Sequence, residues 1–176
     1  MTSSLSSILP PFSLHNTFPL LGLITSTGAL TYAYAETVYL TPLTDERVPE
    51  HVIRTSWEHS FYPGLGAILT LGAGSLVGGI TGYKMAVSKA GSGSGSMAKV
   101  LYATGTVLSM VHFVFVPWIA KTIEAMLEPD DEKKQKPNTK RESQKRWLRL
   151  HYVRTLVSDI PAFVAFLGAT SAYFLS

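Results

Sequence analysis

Two side chains near the C-terminal end of the chain have the types and the spacing for proton transfer. His151 and Arg154 lie three residues apart, and Trp147 precedes His151 by four, so a helix would place all three on one face. A neutral imidazole is suited to accept a proton near pH 7, and a guanidinium beside it can bind the oxyanion that forms. If the protein is an enzyme, we therefore predict His151 as the general base and Arg154 as the group that binds the oxyanion.

Other ionisable side chains interrupt stretches of the chain that are otherwise apolar. Glu36, His112 and Asp159 lie within or near such stretches, and His59 lies at the edge of one. An ionisable group inside a membrane costs roughly 2.5–3.5 kcal/mol on insertion scales, so each is a candidate functional group. Glu36 or Asp159 could orient an imidazole. The predicted catalytic residues are His151, Arg154, His59, Glu36 and Asp159.

These residues can also be explained without chemistry. Arginine and histidine at a membrane boundary often extend their polar ends to the headgroups, which would account for Arg154 and His59. His112 could be a histidine of the bundle interior. A metal or haem site is disfavoured, because no two histidines have ligand spacing on one helix and the HExxH motif is absent from the sequence. We predict no metal and no bound cofactor.

Four apolar stretches, each about as long as a bilayer crossing, carry the candidate residues. Residues 17–40 contain one charged side chain, Glu36, and residues 155–176 contain only Asp159, whereas residues 60–83 and 100–120 contain none. A membrane-spanning helix needs roughly 20 mainly apolar residues. We therefore predict an all-α, single-domain bundle of four transmembrane helices. The predicted spans are at about 18–40, 61–83, 99–120 and 155–175.

Basic residues are concentrated in the connectors after the first and third spans. These connectors hold twelve of the fifteen Lys and Arg, most of them in the predicted loop 121–150. Because cytoplasmic loops are enriched in Lys and Arg, we predict that both connectors face the cytosol and both termini face the other side. The positive charge is thus explained by topology and the lipid bilayer, and no nucleic-acid partner is predicted. With no cysteine in the sequence, a disulfide framework and a thiolate nucleophile are excluded.

The connecting segments predict little chemistry of their own. We expect a disordered tail over 1–17, a short interfacial helix over 45–59, a flexible linker over 90–96 and a mobile loop over 128–141. Gly74, Gly78 and Gly82 recur at intervals of four, which favours close packing of helices within the bundle and leaves a homo-oligomer open. Pro161 predicts a kink in the last span.

The C-terminal stretch resembles the motif that opens the last helix of a family of small four-helix membrane proteins, DUF1772, which includes the fungal anthrone oxygenases. The motif is the sequence WLRLHYVRT at 147–155. The resemblance extends over about residues 18–175. Its other parts are STGA at 26–29, Trp57 leading into YPG at 62–64, and VPW at 116–118.

The resemblance implies oxidation of an anthrone, a polycyclic aromatic polyketide, to an anthraquinone by O₂ without a bound redox cofactor. It also implies secondary metabolism in a fungus, and we expect a multi-pass protein of the endoplasmic reticulum membrane. The substrate would be an apolar aromatic small molecule, taken up with O₂. The alternative is a non-catalytic four-helix membrane scaffold or assembly protein. On the enzyme hypothesis, His151→Ala is expected to abolish turnover while leaving the fold intact. If that variant keeps its activity, His59 or His112 is the next candidate for the base.

Overall fold

The computed structural model describes residues 14–89, 93–129 and 139–175. Six α-helices follow one another in these ranges: α1 (Leu14–Leu40), α2 (Glu50–Ser88), α3 (Gly93–Val111), α4 (Val116–Leu127), α5 (Thr139–Arg154) and α6 (Ile160–Phe174). Two 3₁₀ turns, Thr41–Thr44 and His112–Phe115, and one π turn, Thr155–Asp159, complete the described helical structure. Since no strand occurs in the described ranges, the predicted all-α class is confirmed.

The six helices form four long rods, because two of the junctions continue the helix axis. The 3₁₀ turn joins α3 to α4, and the π turn joins α5 to α6. Among the described residues, three helices are long and apolar enough to cross a membrane: Glu50–Ser88, Ser96–Leu127 and Thr139–Phe174. The remaining rod, α1, has 27 residues and so a length of about 40 Å. Its crossing at 18–40 stays a prediction.

The rods extend further than the apolar stretches alone indicate. α2 begins at Glu50, so most of the predicted interfacial helix over 45–59 is instead the first part of one continuous helix. Ile53 and Trp57 are buried in this part of α2, and their burial holds its N-terminal turns against the bundle. Pro63 lies further along α2 and does not end the helix. α4 and α5 likewise continue the third and fourth rods into 121–150.

Several predicted connectors fall largely outside the described residues. Outside the described ranges lie residues 1–13 of the predicted tail, 90–92 of the predicted linker and 130–138 of the predicted loop. Within the described part, the linker prediction fails from Gly93 onward, because α3 already begins there.

Two apolar clusters, one toward each end of the bundle, hold the rods together. The first joins α2, α4 and α5 through Ile53, Trp57, Ile123, Met126, Trp147 and Leu148. The second joins α2, α3 and α6 through Ala86, Ala98, Tyr102, Phe166, Ala169 and Tyr173. Of the polar side chains that the sequence singled out, Glu36, His112, His151, Arg154 and Asp159 lie between these clusters, whereas His59 is exposed.

Close packing of α1 and α2 depends on small residues. Gly78 of α2 lies so near the backbone of Gly22 in α1 that a Cβ at position 78 would overlap it. A Cβ at Gly74 would overlap Thr25, and one at Gly82 would overlap the ring of Tyr102. The glycines spaced by four therefore pack within the chain, as the sequence favours, rather than forming a free face.

Candidate active site

A large cavity opens between the rods on the side of the first apolar cluster. Its volume is about 1210 Å³, and its wall is formed by residues of α1, α2, α4 and α5, with His112 from the 3₁₀ turn. Most of the wall is apolar or aromatic, including Phe61, Leu65, Ile68 and Ile119. The polar wall residues include Tyr32, Glu36, His112 and Arg154. A cavity of this size and lining suits a flat apolar molecule that carries a few polar groups.

Arg154, the last residue of α5, lies at the centre of the polar groups. It is 5% exposed, and its Nη2 donates a hydrogen bond to Nδ1 of His151 at 2.9 Å. The same Nη2 lies 3.7 Å from Oε2 of Glu36, and Nε lies 3.6 Å from Oδ2 of Asp159. One guanidinium thus lies between two carboxylates, so it is balanced electrostatically by both.

The π turn after Arg154 brings Asp159 to the same face of the rod. In a regular α-helix, residues five apart point about 140° away from each other. Here the N–H of Ile160 donates to the carbonyl of Thr155, five residues back, and this wider turn reduces the angle. Pro161 follows directly and has no N–H for the usual bond to Val157. The local sequence therefore explains why Arg154 and Asp159 approach each other.

Asp159 of the π turn and His112 of the 3₁₀ turn form a buried hydrogen-bonded pair. Oδ1 of Asp159 accepts a hydrogen bond from Nδ1 of His112 at 2.8 Å. Their side chains are 4% and 10% exposed, respectively. Oγ of Ser158 donates to the carbonyl of Leu108 at 2.7 Å, one helical turn before His112, which ties the two rods together at this level.

His151 lies behind Arg154 and is 1% exposed. Its Nε2 donates to the carbonyl of Ala33 in α1 at 3.0 Å, so Nδ1 is left as the acceptor for Arg154. The imidazole ring stacks on Trp147, with ring centroids 4.7 Å apart. Among the described residues, Trp147 and Arg154 form part of the cavity wall, but His151 does not.

The structure brings together four of the five residues predicted as catalytic and leaves the fifth apart. Glu36, His151, Arg154 and Asp159 lie in one cluster. His59 is exposed on α2, and its Nδ1 lies 2.8 Å from the carbonyl of Thr55 in the preceding turn. The roles of all five stay predictions. Within the described part of the chain, no group of three or more His, Asp or Glu is arranged to hold a metal ion.

His112 is the cluster member that the predicted catalytic set omits. The available signal was its position, because an ionisable side chain in the middle of an apolar stretch must find a polar partner. His112 also lines a second, small pocket of about 20 Å³, whose wall includes Ser26, Ser75, Ser109 and Asp159. That volume corresponds to about one water molecule, and the hydroxyl and carboxylate groups suit one.

Comparison with known proteins identifies the class of this bundle. The family model described as anthrone oxygenase matches residues 57–167, more than half of the chain. The chain therefore belongs to the anthrone oxygenase family of membrane proteins. The match includes His112, His151, Arg154 and Asp159, whereas Glu36 lies before it. Neither the curated proteins nor the solved structures include a significant match to the chain.

Proposed function

We propose that this protein is a membrane-embedded oxygenase that converts an anthrone-type polycyclic aromatic polyketide to the anthraquinone with O₂. The observation that carries the proposal is the cavity of about 1210 Å³, which is mainly apolar and has Glu36, His112 and Arg154 in its wall. A fused aromatic ring system is flat and apolar with a polar oxygen, which matches that lining. Membership of the anthrone oxygenase family supports the same reaction class.

The proposed reaction draws its electrons from the substrate. The methylene group of an anthrone is acidic, because the carbanion is also an aromatic phenolate. Such an anion can reduce O₂, and the hydroperoxide that forms can lose water to leave the quinone carbonyl. The protein then has three tasks: to bind the ring system, to remove a proton and to stabilise the oxyanion. In this scheme, no bound redox cofactor is required.

Arg154 is our candidate for the group that binds the oxyanion. It lines the cavity and is largely excluded from solvent, so its attraction for a developing phenolate is weakly screened. Its Nε makes no hydrogen bond within the described chain, and Oε2 of Glu36 likewise makes none. A phenolate oxygen would give this incompletely bonded guanidinium a further partner.

For the base, the sequence favours His151, with Glu36 or Asp159 to orient the imidazole and His59 or His112 as the alternative. That assignment stays a prediction. His151 would first have to release Arg154 from Nδ1, the only ring nitrogen with a lone pair in this arrangement.

The setting we propose is secondary metabolism in a fungus, in the membrane of the endoplasmic reticulum. An enzyme that assembles aromatic polyketides must supply the substrate. A gene for such a synthase beside the gene for this protein would support the setting. The proposed function does not depend on whether the protein forms a homo-oligomer.

Activity in isolated membranes tests the function. Membranes that contain the protein are incubated with an anthrone under air, and quinone absorbance is followed against the slow spontaneous oxidation. Ala120 lies in the cavity wall, so Ala120→Trp should narrow the cavity and lower the acceleration. Ala103 is exposed on α3, and Ala103→Trp is the matched control that should keep it. No acceleration by the wild-type protein would leave the scaffold as the better interpretation.

A further inference from the structure

We propose that His112, positioned by Asp159, is the base that removes the proton from the substrate; this inference rests on the function proposed above. Two histidines belong to the buried cluster, and they differ in whether the lone pair of the ring is already used in a hydrogen bond. A base needs a lone pair that faces the substrate.

The hydrogen bond from His112 to Asp159 leaves the lone pair of the ring on Nε2. A carboxylate only accepts hydrogen bonds, so the 2.8 Å contact with Oδ1 of Asp159 places the proton of the neutral ring on Nδ1. Nε2 then carries the lone pair, and it makes no hydrogen bond within the described part of the chain. Because His112 forms part of the cavity wall, we infer that a bound substrate reaches this atom.

His151 has the opposite arrangement. A carbonyl only accepts, so the 3.0 Å contact with Ala33 places the ring proton on Nε2. The remaining lone pair on Nδ1 accepts the hydrogen bond from Arg154. His151 is therefore suited to orient Arg154, and it cannot take a substrate proton while that bond is made.

The two irregular turns hold the His112–Asp159 pair in place. His112 opens the 3₁₀ turn between α3 and α4, and Asp159 closes the π turn between α5 and α6. The bond from Ser158 to Leu108 fixes the rods one helical turn below His112. Local departures from the α-helix inside a rod are frequent at functional sites, because they turn a side chain toward a ligand.

The proposed steps balance in atoms and electrons. A C–H bond of the methylene breaks, its proton goes to Nε2 of His112, and the electron pair spreads over the ring to the oxygen that faces Arg154. The carbanion transfers an electron to O₂, the resulting radicals combine, and the peroxide takes the proton back from His112. His112 then removes the remaining methylene proton, the O–O bond breaks, and the departing hydroxide takes that proton to leave as water. One O₂ thus gives one quinone carbonyl and one water.

Asp159 acts as a positioning residue in this scheme. It holds the tautomer of His112 and stabilises the imidazolium that forms after proton transfer. The second carboxylate oxygen, Oδ2, lies 3.6 Å from Nε of Arg154, so one carboxylate links the base to the group that binds the oxyanion. This arrangement keeps both groups at a constant separation across the substrate.

Proton exchange without oxygen tests the base separately from the oxidation. The protein in membranes is mixed with an anthrone in D₂O under argon, and deuterium uptake at the methylene is followed by NMR. The wild-type protein should accelerate uptake, and His112→Asn and His112→Gln should each lose about 10²- to 10⁴-fold of that acceleration. His51 is exposed at the start of α2, and His51→Asn is the matched control that should match the wild type.

The variants separate this proposal from the function itself. If the wild-type protein accelerates exchange and the His112 variants do so equally, the proposal is overturned while the function stands. Loss of exchange in His151→Asn together with its retention in the His112 variants would assign the base to His151. If the wild-type protein accelerates neither exchange nor oxidation, the proposed function fails first.

Asp159→Asn gives a second, independent test that applies even if the His112 variants do not accumulate in the membrane. An amide can donate to Nδ1 and thus favour the wrong tautomer, so kcat should fall by about 10⁴-fold, as for the comparable change in serine proteases. KM and the amount of protein in the membrane should stay near those of the wild type. A purely structural role for Asp159 would instead lower the amount of folded protein and leave kcat per folded molecule unchanged, which would count against the proposal.

Discussion

Arg154 donates its 2.9 Å hydrogen bond to the imidazole of His151 while its guanidinium remains part of the cavity wall. The histidine therefore faces away from the cavity and fixes the direction of the arginine. Trp147 stacks on the imidazole ring of His151 and limits its rotation. A charged group held in this way needs no rearrangement when negative charge develops beside it, which is the condition for strong electrostatic stabilisation.

We expect Arg154→Lys to lower kcat by about 10²- to 10³-fold, the effect of removing one oxyanion donor. A lysine keeps the charge between Glu36 and Asp159, but it cannot bond His151 and the substrate in the geometry of a guanidinium. Arg149 is exposed one turn earlier on α5, and Arg149→Lys is the matched control. Equal initial rates of quinone formation in the two variants would show that Arg154 does not bind the oxyanion.

Pro161→Ala should restore regular helix at the π turn and rotate Asp159 away from His112 and Arg154. A displacement of this kind costs about 10²-fold in rate without unfolding the bundle. Quinone formation per folded protein is the measurement, with folding checked by size-exclusion chromatography in detergent. Pro63 lies inside α2 and is exposed, so Pro63→Ala should leave the rate unchanged. An unaltered rate in Pro161→Ala would mean that the π turn does not depend on the proline.

Gly78→Ala should destabilise the bundle by about 1–3 kcal/mol, because the added methyl would overlap the backbone of Gly22. The thermal unfolding midpoint in detergent should fall accordingly. Gly66 lies in the same helix, and apart from its chain neighbours and the backbone of that helix no described atom lies within 4 Å of a Cβ placed there. Gly66→Ala should therefore be neutral, or stabilising by up to about 1 kcal/mol through helix propensity. Similar midpoints for both variants would contradict the packing of α1 on α2.

Gln144→Leu should destabilise the end of the bundle near the first apolar cluster. Oε1 of Gln144 accepts from Nε1 of Trp57 at 2.6 Å, and Nε2 donates to the carbonyl of Leu40 at 3.1 Å. Each partner left unbonded costs about 1–3 kcal/mol when buried. Glu142 pairs with Lys145 on the exposed side of α5, so Glu142→Gln should change the unfolding midpoint little. A larger loss in the Glu142 variant would refute this ranking.

The basic connectors are expected to face the cytosol. A glycosylation acceptor placed within 133–149 should remain unmodified, whereas one placed in the N-terminal tail should be glycosylated if the tail reaches the lumen. Western blots of membranes from a eukaryotic host measure this shift in mass. Modification of the 133–149 site alone would reverse the predicted orientation.

The helices and one contact of the site follow from the sequence for simple reasons. Apolar stretches of about 20 residues can satisfy their backbone in a membrane only as helices, so the rods were predictable. Because His151 and Arg154 are three residues apart, one helix should bring their side chains together. The 2.9 Å hydrogen bond between them confirms this.

The pairing of His112 with Asp159 was beyond such reasoning. The two residues are 47 positions apart, and their meeting depends on how two rods pack and on a 3₁₀ and a π turn. Helical periodicity assumes a constant rotation per residue, which the π turn breaks between Arg154 and Asp159. Pro161 indicated an irregularity but not its form. The cavity, likewise, arises from side chains of separate rods.

The edge-to-face pair of Trp57 and Trp147 gives the cavity wall an optical property of its own. Their ring centroids are 5.1 Å apart and both residues line the cavity, while the third tryptophan of the chain, Trp118, is exposed on α4. A Trp118→Phe variant would therefore emit indole fluorescence from the cavity wall alone. Quinones quench excited indoles by accepting an electron, so the emission of this variant would follow occupancy of the cavity in real time and without a label.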